Sequence, residues 1–108
     1  MANNFKSTAN ANIETAGNTI YTCPAATQTT LIGMAVANKG KGTVSANIHL
    51  RRSGIDYVLI ANVPILSGST LVPIGGEQKF VLQANDVLRA NASTNNSIDI
   101  IASLLEIT

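Results

Sequence analysis

The chain has 108 residues, which is enough for one domain. Its formal net charge of +1 is too small to attract a nucleic acid or an anionic membrane surface. Charged residues make up 12% and aromatic residues 4% of the sequence, whereas 45% of the residues are hydrophobic, chiefly Ala, Ile, Leu and Val. This composition predicts a thin core of β-branched side chains under a neutral surface that tends to self-associate, although a neutral soluble monomer fits it equally well.

The sequence also bears on the compartment in which the chain folds. No apolar run approaches the ~18 residues of a membrane span, and residues 1–12 lack the basic start and apolar stretch of a signal peptide. The single Cys23 has no partner for an internal disulfide, and we expect it to be a small buried hydrophobic residue. We therefore expect folding in the cytoplasm of the cell that makes the protein.

The N-terminal residues 1–11 are polar and rich in Asn, and they predict an irregular arm in which Phe5 is a candidate anchor. Arms of this kind often become ordered only on a neighbouring subunit. The remaining residues 12–108 are predicted to form one β-domain.

Eight β-rich runs separated by turn residues follow the arm, at residues 12–21, 29–38, 43–51, 55–63, 70–74, 79–82, 87–92 and 98–107. The run at 43–51 has the clearest alternation of apolar and polar residues, and no segment has a helical period. We predict a hairpin-type turn at residues 39–42 (KGKG) and tight turns at residues 52–54 and at Gly75-Gly76. Short strands spaced in this way predict a β-sandwich or a small barrel, and we expect a single-domain antiparallel β-sandwich of jelly-roll or immunoglobulin-like type.

Two of the predicted strands have a second face that is a candidate contact surface. One face of the 29–38 strand bears only small residues, which would let another surface approach closely. The 98–107 strand is apolar on both faces, so it is either central in the sandwich or covered by a partner. With the anchor of the arm, the candidate interface residues are Phe5, Gly33, Ala35, Ala37, Ile101, Leu105 and Ile107.

The titratable residues do not group into a recognisable catalytic or metal-binding pattern. His49 is the only histidine and is expected on the polar face of its strand, and the six carboxylates lie singly along the chain. Neither KGKG nor Gly75-Gly76 fits a phosphate-binding loop. We expect no enzymatic activity, no cofactor and no bound metal.

Three stretches of the chain together resemble a known family. They are IYTCPAATQTTLIGMAVAN, DYVLIANVPILSGSTLVPIGGEQKFVLQANDVLRANAS and the closing IDIIASLLEI, and the likeness covers about residues 20 to 107. The small β-sandwich virion proteins of tailed bacteriophages carry similar segments: Y-x-x-P-A, Y-x-L with V-P-x-x-x-G-x-x-L, a strand with Gly, Lys, an apolar residue and Leu, an A-x-D-x-L-x-x-x-A-S strand and a terminal S-x-L-E-I. The matching positions are Tyr21, Pro24 and Ala25; Tyr57, Leu59, Val63, Pro64, Gly68 and Leu71; Gly76, Lys79 and Leu82; Ala84, Asp86, Leu88, Ala92 and Ser93; and Ser103, Leu105, Glu106 and Ile107.

The resemblance implies a structural role on the virion, because the matching positions mostly determine the fold and include no catalytic residue. One implied role is a capsid decoration (cement) protein that binds the head lattice as an oligomer, with a trimer favoured. The other is a tail or neck accessory, including a receptor- or carbohydrate-binding module at a tail tip. The implied partners are other copies of the chain and the major capsid protein or another virion protein.

Overall fold

The chain is built of strands and the turns that join them. The computed structural model describes residues 3–74 and 79–108, and this part of the chain contains no helix. Its strands are β1 (Asn3–Asn10), β2 (Asn18–Thr22), β3 (Gln28–Asn38), β4 (Val44–Arg52), β5 (Ile55–Ile65), β6 (Thr70–Ile74), β7 (Phe80–Leu82), β8 (Val87–Ala92) and β9 (Ile98–Ile107). The turn predicted at Gly75-Gly76 lies outside the described residues.

These strands form two antiparallel sheets that pack face to face. The larger sheet has the order β1-β9-β3-β6, and β7 also pairs with β3. The smaller sheet has the order β2-β8-β4-β5. The expected single-domain antiparallel β-sandwich is thereby confirmed.

The core lies between the inner faces of the two sheets and consists mainly of aliphatic side chains. Along β4 and β9 every second residue points inward, as the alternating sequence pattern predicts. Cys23 is fully buried, which confirms its expected role as a small hydrophobic residue. The largest fully buried aliphatic side chains are Ile13, Leu31, Val36, Ile48, Leu82, Leu88, Ile98, Ile100 and Leu104.

The turn predicted at residues 52–54 is a two-residue β-hairpin loop between β4 and β5. Arg52 pairs with Ile55, and the two loop residues both have positive φ angles, 54° at Ser53 and 79° at Gly54. That combination defines a type I′ turn, whose twist matches the flanking strands. Strand β5 continues through Pro64, beyond its predicted end, because it is an edge strand where the missing N–H costs no ladder hydrogen bond.

The turn predicted at residues 39–42 is not a hairpin turn. It joins β3 of the larger sheet to β4 of the smaller sheet, so it crosses between sheets. The buried Asn38 holds this crossing, since its Nδ2 donates to the carbonyl oxygens of Gly42 at 2.8 Å and Ile65 at 2.7 Å. Local sequence signals a turn, but it does not show whether the flanking strands pair with each other.

The N-terminal segment also differs from its expected form as an irregular arm. Residues Asn3–Asn10 form the regular strand β1, which pairs with β9 along the edge of the larger sheet. Residues 12–17, predicted as part of a strand, instead form a loop whose Ile13 is fully buried. The reason is that β9 would otherwise be the edge strand on that side. The backbone groups of an edge strand can pair with any extended segment, including a polar one.

Candidate functional site

The outer face of the larger sheet, here called the apolar face, is formed by every second residue of its strands. Ala102 and Leu104 of β9 are buried in the core, so Ser103 and Leu105 point outward. The pairing registers then place the outward residues of the neighbouring strands beside those of β9. The apolar face comprises Asn3, Phe5, Ser7 and Ala9 of β1; Asp99, Ile101, Ser103, Leu105 and Ile107 of β9; Gln28, Thr30, Gly33, Ala35 and Ala37 of β3; Thr70 and Val72 of β6; and Val81 of β7.

Several large hydrophobic side chains lie open to solvent on the apolar face. On the β1 and β9 side, Phe5 is 79% exposed and Ile101 is 54% exposed. On the opposite edge, Val72 and Val81 are 62% and 53% exposed. Isolated exposed hydrophobic residues are common, but a group of them on one sheet face is typical of a surface that another molecule covers.

Small residues occupy the middle of the apolar face. Gly33 of β3 and Ser7 of β1 both pair with Ser103, and Ala35 pairs with Ile101. Side chains of this size leave the sheet surface low and flat, so another β-surface can approach closely along this strip. The larger Val72 and Phe5 then border the strip on its two sides.

Among the outward positions named above, Asp99 is the single charged residue. It lies at one end of β9, where Lys39 Nζ is 2.9 Å from its Oδ1 and the backbone N–H of Asn12 donates to the same oxygen at 3.0 Å. The ion pair with Lys39 and the Asn12 hydrogen bond lower the pKa of Asp99 below its usual value. The charge on this face is thus already compensated within the chain.

All seven candidate interface residues lie on the apolar face. Phe5, Ile101, Leu105 and Ile107 come from two adjacent strands, and the Gly33–Ala37 strip adjoins them on the third. Sequence analysis missed Val72 and Val81, which extend the face to its far edge. Their signal was weak, because each lies in a strand of five residues or fewer, which is too short to show a clear alternating pattern.

The outer face of the smaller sheet, here called the charged face, has a different chemistry. It includes Thr19 of β2, His49 and Arg51 of β4, Asp56 and Val58 of β5, and Arg89 of β8. Arg51 binds Asp56 through two hydrogen bonds, of 2.7 Å from Nε and 3.2 Å from Nη2. Hydrogen bonding with Arg51 lowers the pKa of Asp56. Arg89 donates to the hydroxyl of Thr19 at 3.0 Å. On this face Arg51 and Asp56 therefore neutralise each other, and Arg89 has a hydrogen-bond partner on the neighbouring strand.

A hollow of about 300 Å³ opens on the charged face beside His49. The Nε2 atom of His49 and the Oδ1 atom of Asn91 are buried there without a hydrogen-bond partner. His49 Nε2 is 3.8 Å from Asp56 Oδ2, too far for a hydrogen bond. The expected placement of His49 on the polar side of its strand is correct, and these groups form no arrangement of nucleophile, base and orienting residue.

A buried polar cluster connects the two sheets beneath one end of the apolar face. The hydroxyl of Tyr21 donates to Glu106, whose other oxygen lies 3.0 Å from Nζ of Lys6. Thr29 Oγ1 is 2.9 Å from the Tyr21 oxygen and 3.3 Å from the Cys23 sulfur. Burial raises the pKa of Tyr21 to about 12, and the Tyr21 hydroxyl lowers the pKa of Glu106. Tyr21 therefore stays protonated and Glu106 stays ionised at neutral pH. The contacts of this cluster link β1, β2, β3 and β9.

Within residues 3–74 and 79–108, no three metal-binding side chains come together. This part of the chain also contains no helix long and apolar enough to cross a membrane. Comparisons with known proteins give no match to any family model, any curated protein or any solved structure.

Proposed function

We propose that this chain is a non-enzymatic structural protein of a phage virion, a capsid decoration protein that binds the head lattice as an oligomer through its apolar face. The observation that carries the proposal is the extent of that face. It runs across every strand of the larger sheet, and its single charged residue is compensated at one end. Covering such a surface with another protein removes its apolar side chains from water, which stabilises the assembly.

The partners we propose are other copies of the chain, with a trimer favoured, and the major capsid protein. Repeated binding to a symmetric lattice requires the same surface patch on every copy, which a rigid sheet face provides. Low charge also fits, because charged residues are depleted at the buried centres of interfaces. The resemblance to small virion β-sandwich proteins supports the same role.

The alternative is a tail or neck accessory that binds a receptor or carbohydrate. Such a module needs exposed aromatic side chains to stack on sugars, and the sequence contains two tyrosines. Tyr21 is only 8% exposed and its hydroxyl is engaged by Glu106, whereas Tyr57 is 51% exposed. The exposed Tyr57 lies on β5 of the smaller sheet and the exposed Phe5 lies on β1 of the larger sheet, so these two aromatic side chains form no common platform, which favours the decoration role over this alternative.

Electron microscopy of the phage particle, with a gold-labelled antibody against the chain, tests the proposal. We expect label at regularly repeated positions over the head. Label confined to the tail or neck would replace decoration with the accessory role, and particles without label would overturn both. Light scattering of the purified 11.2 kDa chain should give the mass of a trimer.

A further inference from the structure

Strand β1 is attached to the domain without contributing to its core. None of its residues is buried, and its pairing with β9 is mainly backbone hydrogen bonding in register from Asn3 to Asn10. Among the polar side-chain contacts of β1 are an ion pair of Lys6 with Glu106 and a hydrogen bond from Asn10 Nδ2 to the carbonyl of Thr19 at 3.3 Å. Detaching β1 would therefore remove no buried side chain of β1 from the core.

The chain has a pivot immediately after β1. Asn12 has a φ of 57°, in the left-handed region, and its N–H donates to Asp99. The next residue, Ile13, is fully buried, and its N–H donates to the carbonyl of Ile98 at 2.9 Å. Rotation of Asn12 to an extended φ would swing β1 outward, relieve an unfavourable backbone conformation and leave the Ile13 anchor in place.

The site left on β9 would be specific for a strand like β1. It presents a row of unpaired backbone groups and the carboxylate of Glu106, which is 5% exposed. With β1 in place, Lys6 forms the ion pair of this carboxylate, so an incoming strand with a positive side chain at the register of Lys6 restores the same contact. Strand β1 of a second copy supplies this residue and the same backbone register.

We propose that β1 exchanges between copies of this chain, so that β1 of one copy pairs with β9 of another and places its Lys6 on the other copy's Glu106. The contacts are identical to those within one copy, which makes the exchange a low-cost route to an oligomer. This inference rests on β1 and Asn12, and it does not depend on the apolar face or on a virion location.

Cysteine cross-linking tests the exchange. Ser7 and Ser103 are register partners with exposed side chains, so the double variant Ser7→Cys, Ser103→Cys reports which copy supplies β1. The background carries Ile101→Glu, which should prevent association through the apolar face. After oxidation, we expect disulfide-linked dimers on a non-reducing gel, in a fraction that rises with protein concentration. Disulfides only within single chains at every concentration would overturn the proposal.

A matched pair, Asn47→Cys with Asn91→Cys, joins two central strands of the smaller sheet that cannot exchange and should cross-link only within a chain. The parent chain, whose only cysteine is the buried Cys23, should not cross-link.

Variants of Asn12 test the pivot without any disulfide. Asn12→Pro removes the N–H donated to Asp99 and prohibits positive φ, so it should raise the oligomeric fraction measured by light scattering by about five-fold. Asn12→Gly makes the bent form less costly and should lower that fraction. These variants also carry Ile101→Glu, so that oligomers formed through the apolar face do not contribute to the measured fraction. Equal oligomeric fractions for both variants and the parent would contradict the proposed exchange.

Discussion

The two outer faces of the sandwich have opposite chemistries, although both are regular antiparallel sheet surfaces. On the charged face, Arg51 and Arg89 donate hydrogen bonds to side chains on adjacent strands. These guanidinium groups are therefore satisfied by neighbouring side chains and by water. On the apolar face, Phe5, Ile101 and Val72 point into solvent with no comparable compensation. The difference supports the proposal that a partner covers the apolar face and leaves the charged face exposed.

The largest expected effect comes from placing a charge on each face in turn. Ile101→Glu introduces a carboxylate into the apolar face, two residues from the compensated Asp99. Burying it against a partner without a cation should weaken oligomer formation at least about ten-fold, measured by light scattering across a concentration series. Thermal unfolding of the dilute protein should change little, because the side chain is exposed in the single copy.

Val58→Glu on the charged face is the matched control. Val58 is an exposed β-branched residue, also two residues from an ion-paired aspartate, Asp56. This variant should oligomerise like the parent chain. A loss of association in Val58→Glu together with normal association in Ile101→Glu would reverse the assignment of the two faces.

A smaller effect is expected from the buried cluster beneath the apolar face. Tyr21→Phe removes the hydroxyl that donates to Glu106 and leaves the carboxylate with Lys6 as its partner. The free energy of unfolding should fall by about 1–2 kcal/mol in denaturant titrations, because a buried charged acceptor loses a hydrogen bond. Tyr57→Phe, which removes an exposed hydroxyl, should leave stability within about 0.5 kcal/mol.

The stability of the Tyr21→Phe variant at alkaline pH is an independent test of the buried cluster. The pKa of Tyr21 is raised from 10.0 to about 12 in the folded chain, so the folded state keeps a proton that the unfolded state loses. The resulting stabilisation is complete below pH 10 and is lost as the pH rises toward 12. Tyr21→Phe should lack this loss of stability, whereas Tyr57→Phe should retain it.

Most of the strands could be predicted from the sequence because their information is local. The alternation of residues 43–51 and the two-residue turn at Ser53-Gly54 correspond to β4 and its hairpin. The connection at residues 39–42 was misread as a hairpin because pairing between strands is decided by contacts distant in sequence. Strand β1 was missed for a related reason: its polar side chains carry no strand pattern, and the free edge of β9 determines its structure.

The candidate site could likewise be predicted from the sequence only in part. Sequence shows which residues share one face of one strand, so Ala35 with Ala37 and Ile101 with Leu105 could each be grouped. That these groups lie side by side depends on β9 pairing with β3 and β1, which no local pattern reveals. The buried bond between Tyr21 and Glu106 was likewise invisible, since it joins two sheets across the core.

The smallest effect should come from the charged face itself. Arg51→Gln breaks the ion pair with Asp56, but both side chains are nearly half exposed, so water can replace the lost contacts. The melting temperature should shift by less than about 2 °C, and the oligomer should keep its mass. Raising the salt concentration should affect the parent and the variant nearly equally, since screening already weakens an exposed pair. If Arg51→Gln instead abolished oligomer formation, the charged face would be a contact surface, and its internal ion pairs could not be regarded as an adaptation to exposure.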